Sequence, residues 1–331
     1  MPVSHNAKPG LSQVFAIVEG PIAANRIPLN ASGPLASLPM PAAPLPTRVG
    51  DQTDILGECP LWDDRTQALY WVDIRRPALR RLDAASGRVQ TWALPDLVGA
   101  IALVEDGRLL LALADEVRLF DTASGRFETL ARLPQRVEGH RFNDGRCDRQ
   151  GRFFVGTMHN LTRAPEGVLY RLQGRGPLQP VLHGLCIPNS LAWSPDGATM
   201  YFADSLRHAI EAYAYDGASG TLGPPRSFAS TEPPGFPDGA TVDAEGFVWS
   251  AQFKASQIVR YAPDGRIDRV IRMPVDKPTA LAFGGPRLDH LYITTASQQM
   301  TPDELAAQPL AGALLVIDPG VRGLPEPRFA L

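Results

Sequence analysis

A short pattern of strand and turn residues recurs six times along this chain. Its clearest copy runs from Ile187 to Gly197, where apolar and small residues alternate before a Pro-Asp-Gly turn. Aligning the copies on their closing glycine or central aromatic residue brings six residues into one register, here called the ring positions: Glu58, Gly99, Asn143, Asn189, Asp238 and Thr279. Successive ring positions are separated by 41, 44, 46, 49 and 41 residues.

A period of about 40–50 residues built from short strands is typical of a β-propeller. We therefore predict an all-β fold, a six-bladed β-propeller of four-stranded antiparallel blades. The first strand of each blade should line a central channel, so the ring positions converge although they lie far apart in sequence. Because an open ring would expose unpaired strand edges, we expect a strand over residues 47–53 to complete the last blade.

Each repeat also contains a second apolar strand, predicted at residues 68–73, 109–114, 153–158, 200–204, 247–251 and 290–295. The sixth repeat is interrupted by Thr301-Pro302-Asp303-Glu304. This is a capping box with proline in the first turn, and it predicts a short helix over residues 302–308.

Residues 1–47 lie outside the repeat and are rich in proline, so we predict a flexible or surface-draped extension. A packing or oligomerisation arm is the alternative. Residues 48–331 are assigned to the propeller domain.

Composition limits the binding partners and the cellular compartment that we expect for this protein. The net charge of −3 suggests no nucleic-acid or anionic-membrane partner, and no apolar run approaches the roughly 18 residues of a membrane helix. The three cysteines are odd in number and lack metal-binding spacing. They favour reduced thiols of a cytoplasmic protein over a secreted protein with one disulfide.

Three ring positions present oxygen atoms to the predicted channel: Glu58, Asn189 and Asp238. Two carboxylates and one amide oxygen suit a hard divalent cation such as Ca²⁺, Mg²⁺ or Mn²⁺, and Zn²⁺ would also accept them. Three protein ligands leave positions for water and substrate. Without a cation, two buried carboxylates would repel each other. The alternative is that these side chains only cap strand ends and bind channel waters.

Other polar residues are assigned to the same end of the channel. Arg141 lies two residues before Asn143, so in an extended strand both point to one face and offer donors to a hydroxyl-rich ligand. Asp73 and Asp204 end second strands and are expected to hydrogen-bond nearby turns, while His159 is expected in a loop. No nucleophile elbow, Walker loop or dinucleotide fingerprint is present, so serine-nucleophile, nucleotide and hydride-transfer chemistry lack support.

Six motifs occur in order over about residues 50–331: Leu56-Gly57-Glu58-Cys59-Pro60-Leu61-Trp62, Arg141-Phe142-Asn143-Asp144-Gly145, Gly156-Thr157-Met158, Pro188-Asn189-Ser190-Leu191, Phe236-Pro237-Asp238-Gly239 and Phe283-Gly284-Gly285. They resemble the senescence-marker-protein/gluconolactonase/regucalcin-like family of sugar lactonases. That resemblance implies a six-bladed propeller with one catalytic divalent metal, which hydrolyses sugar lactones to aldonic acids.

The resemblance also implies roles for individual residues. Glu58, Asn189 and Asp238 match the family's metal ligands, Arg141 and Asn143 match its substrate-binding positions, and Asp238 matches its general base. Animal members carry a substrate-contacting glutamate where this chain has His159-Asn160-Leu161, so their substrate preference is not carried over. Two alternatives stay open: a non-catalytic metal- or ligand-binding propeller, and a propeller esterase acting on aryl esters or organophosphates.

Overall fold

A computed structural model describes residues 45–331, so nearly all of the extension predicted over residues 1–47 lies outside the described residues. The described chain forms twenty-four short strands in six antiparallel sheets of four. Each sheet is one blade, and the predicted six-bladed propeller is confirmed.

The strands are numbered β1 to β24 in chain order, and blades one to five each use four consecutive strands. Blade one contains β2 Gly57–Asp63, β3 Ala68–Asp73, β4 Ala78–Asp83 and β5 Val89–Ala93. Blade two contains β6 Val98–Leu103, β7 Leu109–Leu113, β8 Glu116–Asp121 and β9 Arg126–Arg132. Blade three contains β10 His140–Cys147, β11 Phe153–His159, β12 Gly167–Leu172 and β13 Gln179–Leu185.

Blade four contains β14 Pro188–Trp193, β15 Thr199–Asp204, β16 Ala209–Asp216 and β17 Thr221–Ser230, with a 3₁₀-helix at Ser205–Arg207. Blade five contains β18 Phe236–Val242, β19 Val248–Phe253, β20 Gln257–Tyr261 and β21 Ile267–Arg272. Blade six contains β22 Pro278–Gly284, β23 His290–Thr295, β24 Leu314–Ile317 and, from the start of the described chain, β1 Thr47–Val49.

The ring closes as predicted, because β1 pairs with β24 and Thr47 lies opposite Val316. The closing strand is shorter than the predicted residues 47–53. It ends at Val49, since Gly50 adopts a left-handed conformation with φ of 66° that turns the chain out of the sheet.

Helix α1 spans Pro302–Ala307, one residue shorter than predicted. Its capping box is formed: the Thr301 hydroxyl accepts from the Glu304 amide at 3.3 Å, and the Glu304 carboxylate accepts from the Thr301 amide at 2.7 Å. Within residues 45–331, no helix combines the length and the apolar character needed to cross a membrane.

The inner strands β2, β6, β10, β14, β18 and β22 share one irregularity. In every one, the pairing register with its neighbour shifts at or beside the ring position. At two of these bulges a non-glycine residue is left-handed, Cys59 with φ of 48° and Ser190 with φ of 58°. A bulge redirects side chains relative to a regular strand, so it aims the ring residues into the channel.

Residues 323–330, here called the C-terminal strap, cross the far ends of the inner strands. Gly323 forms a bridge with Asp243 beyond β18, and the fully buried Phe329 forms one with Val104 beyond β6. Arg328 donates to Asp63 at the end of β2. Because the ring positions lie toward the starts of these strands, the strap and the predicted site occupy opposite ends of the channel.

Candidate active site

A pocket of about 720 Å³ opens at the ring-position end of the channel. Four of the six ring positions line it: Glu58, Asn143, Asn189 and Asp238. The structure therefore brings together the polar residues that the repeat placed in one register. Arg141 lines the same pocket and is almost fully buried.

The other two ring positions do not line the pocket. A side chain at Gly99 would collide with the backbone carbonyl of Phe142, so the first strands of blades two and three touch there. The Thr279 hydroxyl donates to the Gly57 carbonyl and lies 2.8 Å from the Thr294 hydroxyl. Both positions thus join blades, and the ring positions that line the pocket come from blades one, three, four and five.

A chain of side-chain hydrogen bonds orders the amides of the site. Arg141 donates to Asn143 Oδ1 at 2.7 Å, and Asn143 Nδ2 donates to Asn189 Oδ1 at 3.1 Å. Asn189 Nδ2 then donates to the Ser205 hydroxyl at 2.8 Å, and Ser205 donates to the Pro237 carbonyl at 2.7 Å. This chain orients Asn189, whose Oδ1 carbonyl oxygen has a second lone pair for another partner.

Neither Glu58 nor Asp238 forms an ion pair within the described chain, although the charge of Arg141 acts on both carboxyls and opposes the rise of their pKa values. Burial, and then the charges of Asp238 and Asp144, raise the pKa of Glu58 well above its usual range. Burial and the charge of Asp144 likewise raise the pKa of Asp238. Two carboxyl groups held in one buried site without a cation resist ionising together.

This donor set fits a hard divalent cation. Two repelling carboxylates and one oriented amide oxygen are all oxygen donors, and a dication would relieve their repulsion. Within residues 45–331, no cluster of three or more His, Cys, Asp or Glu side chains is arranged to hold a metal. A cation here would therefore need the Asn189 amide oxygen as its third protein ligand, and the ligand roles of Glu58, Asn189 and Asp238 stay proposals.

The two aspartates assigned to supporting positions lie where the sequence indicated. Asp73 accepts from the amides of Ile55 and Leu56, at 2.9 and 3.2 Å, and does not line the pocket. Asp204 accepts from the amides before β14 in the same way. The loop position expected for His159 is wrong: it is the last residue of β11, opposite His140, and its Nδ1 accepts from the amides of the loop that follows.

Sequence reasoning missed the outer wall of the pocket. Its polar residues share one location, the loop between the second and third strands of a blade: Arg75, Asn160, Arg163, Ser205, Lys254 and Gln298. The signal for them was available, because Asp73 and Asp204 had already placed the ends of second strands at this mouth. Extending that reasoning a few residues into each following loop would have found the wall.

Asn160 lies in the segment His159-Asn160-Leu161, where the sequence differs from that of animal members of the family it resembles. Its Oδ1 accepts from Arg141 Nε at 3.0 Å, while Arg141 Nη1 donates to the Phe142 carbonyl at 2.8 Å and to Asn143. Three acceptors thus hold the guanidinium in one orientation. Burial, followed by the charge of Arg75, lowers the pKa of Arg141 to about 10, so it remains a cation at neutral pH.

The chain is similar in sequence and in structure to several known proteins. A family model described as the SMP-30/Gluconolactonase/LRE-like region matches residues 56–297. A 6-deoxy-6-sulfogluconolactonase from Pseudomonas putida is 40% identical over 281 residues, covering 84% of this chain and 96% of that protein. An L-arabinolactonase from Azospirillum brasilense is 37% identical over 289 residues, covering 86% and 95%. The crystal structure of a calcium-binding protein, regucalcin, from Agrobacterium tumefaciens superposes with a TM-score of 0.83 at 31% identity, covering 88% and 98%.

Proposed function

The chain belongs to the SMP-30/gluconolactonase/LRE-like family, and we propose that it hydrolyses a sugar lactone to the aldonic acid with one divalent cation. One observation carries this proposal: a single pocket contains two carboxylates that form no ion pair within the described residues, an oriented amide oxygen and the rigid pair of Arg141 and Asn143. The names of the two lactonase relatives support the substrate class. The calcium-binding relative supports a cation of that kind.

Glu58, Asn189 and Asp238 are the residues that would hold the cation. When bound, a divalent cation supplies Lewis acidity for an ester carbonyl and lowers the pKa of water. Asp238 is the general base of this proposal, because its buried carboxylate lines the same pocket as Arg141 and Asn143 and could take the proton of a water molecule held there.

Arg141 and Asn143 position the substrate. Arg141 is fixed by three acceptors, so its remaining N–H groups point in set directions and can donate to ring hydroxyls without a further loss of side-chain entropy. Asn143 is fixed at both ends of its amide. Both hydrogens of Asn143 Nδ2 are donated to Pro188 and Asn189, so Asn143 offers a substrate the second lone pair of its Oδ1, while Arg141 offers its free guanidinium N–H groups. This rigid pair beside the carboxylates orients the ester bond relative to Asp238.

The test is a panel of neutral sugar lactones assayed for acid release on metal-stripped protein, with Ca²⁺, Mg²⁺, Mn²⁺ and Zn²⁺ each added back. The proposal expects no hydrolysis after stripping and recovery with at least one cation. Binding of a cation without turnover of any lactone would favour the non-catalytic propeller. Faster turnover of aryl esters or organophosphates than of lactones would favour the esterase alternative.

A cytosolic location is part of the proposal. It is supported by Cys59, Cys147 and Cys186, each of which is a free thiol. Cys59 and Cys147 are buried in the core, where burial raises the thiol pKa and keeps them unreactive. Cell fractionation with an antibody against the protein would test the location.

A further inference from the structure

The rim of the active-site pocket is basic. Four cationic side chains line the pocket, Arg75, Arg141, Arg163 and Lys254, against the two carboxylates Glu58 and Asp238. Those carboxylates are the groups that the proposed cation would neutralise. With the cation in place, the wall of the pocket would carry an excess of positive charge that no acidic side chain of the pocket offsets.

The basic groups are layered by depth. Arg141 is almost fully buried beside the ring positions, Arg75 is half-buried, and Arg163 and Lys254 are exposed. Arg75 follows β3, Arg163 lies between β11 and β12, and Lys254 follows β19. Cations from three separate blades therefore surround the entrance, while the carboxylates and amides form the floor.

None of the three outer cations has an acidic partner within the described residues. Arg75 Nε donates only to Gln298 Oε1, at 3.4 Å, and neither Arg163 nor Lys254 forms an ion pair. Glu166, which lies in the same loop as Arg163, is 3.2 Å from His140 Nε2. Some arginines elsewhere on the surface do pair with acids, as Arg108 does with Asp106 and Glu128.

The outer cations also act on one another. Burial and then the charge of Arg163 lower the pKa of Arg75. Burial followed by the charge of Arg75, with a smaller contribution from Arg163, lowers the pKa of Arg141. Like charges brought together without a counterion destabilise the fold slightly, and such arrangements are typical of sites that bind an anion from outside.

We propose that the substrate is an anionic sugar lactone, with a sulfonate, phosphate or carboxylate group at the end of the molecule away from the lactone carbonyl. This inference rests on the proposed function, because it assumes that the carbonyl lies at the floor beside Glu58 and Asp238. Arg75 and Arg163 bind the anionic group by charge-assisted hydrogen bonds, and Lys254 adds a positive charge from the opposite side of the entrance.

The experiment compares kcat/KM for neutral gluconolactone with kcat/KM for its 6-sulfonate, 6-phosphate and 6-carboxylate counterparts, using the full chain loaded with the cation that supports turnover. We expect at least one charged lactone to be preferred by about tenfold or more, with a preference that shrinks as ionic strength rises. Comparison of the three charged lactones shows which anionic group the pocket prefers.

The variants test the residues. The double substitution Arg75→Gln with Arg163→Gln should lower the charged-to-neutral ratio of kcat/KM by about tenfold, and Lys254→Gln should lower it less. Arg76→Gln is the matched control, because Arg76 lies in the same loop as Arg75 but outside the pocket. Its ratio should equal that of the wild-type protein.

Two results would overturn the inference, and they differ from failure of the proposed function. Hydrolysis of neutral lactones with no preference for a charged one would reject the anionic substrate while leaving the lactonase proposal intact. A preference that survives in the double variant would reject Arg75 and Arg163 as its cause. Absence of hydrolysis with every lactone and every cation would reject the proposed function itself.

Discussion

At the mouth of the channel, Glu58 and Asp238 form no ion pair with any of the described residues, whereas at the far end Glu326 lies 2.7 Å from Arg146. Arg328, which belongs to the C-terminal strap, likewise pairs with Asp63 and Asp64. At the mouth, burial raises the pKa of the carboxyls. At the far end, the Glu326 carboxylate outweighs burial and raises the pKa of Arg146.

This difference indicates that the charged residues at the far end of the channel stabilise the fold, whereas those at the mouth serve the proposed site. Paired charges at the far end hold the strap across the inner strands, so they contribute to folding. The carboxylates at the mouth oppose folding in the absence of the proposed cation, and natural proteins accept such a conflict where it serves a site. Removing a charge should therefore have opposite effects on stability at the two ends.

The largest expected effect is on catalysis at the mouth. Asp238→Ala should lower kcat/KM for lactone hydrolysis by at least about 10³-fold, because it removes both the proposed base and a proposed ligand. The free energy of unfolding of the metal-free variant should not fall, since one member of a repelling pair is gone. Steady-state kinetics and chelator-treated denaturant unfolding would measure the two quantities.

Turnover near the wild-type value in Asp238→Ala would reject the site. A large loss of stability without metal would instead show that Asp238 stabilises the fold. The two ends of the channel would then not differ in their contribution to stability.

The next effect concerns the far end. Glu326→Ala should lower the free energy of unfolding by about 3 kcal/mol, because Arg146 is left as an unpaired charge inside the channel. The matched control is Glu105→Ala, which removes an exposed partner of Arg65 and should change stability by less than about 1 kcal/mol. Urea unfolding of both variants provides the measurement.

The fraction of the Glu326→Ala variant that remains folded should have the kcat/KM of the wild-type protein, because the strap does not line the pocket. A strap variant that folds normally but loses catalysis would show that the two ends are coupled.

The pH dependence of stability tests whether the carboxyls at the mouth of the channel oppose folding when they ionise. Because the folded protein binds the protons of Glu58 and Asp238 more tightly than the unfolded chain does, the contribution of these two groups to the free energy of unfolding of metal-free protein should fall as pH rises through the raised pKa values. Carboxyls elsewhere whose pKa is lowered, such as those of Asp106 and Glu116, act in the opposite direction near pH 4, so the fall should be seen above about pH 5. Each unit of elevation contributes about 1.4 kcal/mol. A saturating cation should reverse the slope, since its ligands must be deprotonated.

Unfolding midpoints recorded with chelator and with cation between about pH 4 and 8 would test this sign. A metal-free stability that rises steadily across the range would contradict the repulsion inferred at the mouth.

The smallest predicted effect is on substrate positioning. Asn160→Ala removes one of the three acceptors that hold Arg141, so KM should rise by about five- to tenfold, which corresponds to about 1 to 1.4 kcal/mol, the net value of one ordinary hydrogen bond. Asn160→Asp should retain the acceptor and most of the affinity. An unchanged KM in Asn160→Ala would show that Phe142 and Asn143 alone fix the guanidinium.

Much of the fold followed from the repeat because a blade is a local unit. Four short strands close in sequence pair with one another, so the period, the second strands and the capping box of α1 could be predicted from neighbouring residues. The register of Glu58, Asn143, Asn189 and Asp238 followed as well. Equivalent positions in equivalent strands meet at the channel whatever lies between them.

Only the tertiary structure decided the rest, because it depends on contacts between blades. The approach of Gly99 to the Phe142 carbonyl, the hydrogen-bond chain from Asn143 to Ser205 and the pairing of Arg146 with Glu326 each join segments from different blades or from the strap. The basic rim likewise gathers Arg75, Arg163 and Lys254 from three loops. Such contacts form when the ring closes, and no periodic pattern within one blade encodes which loop will face which.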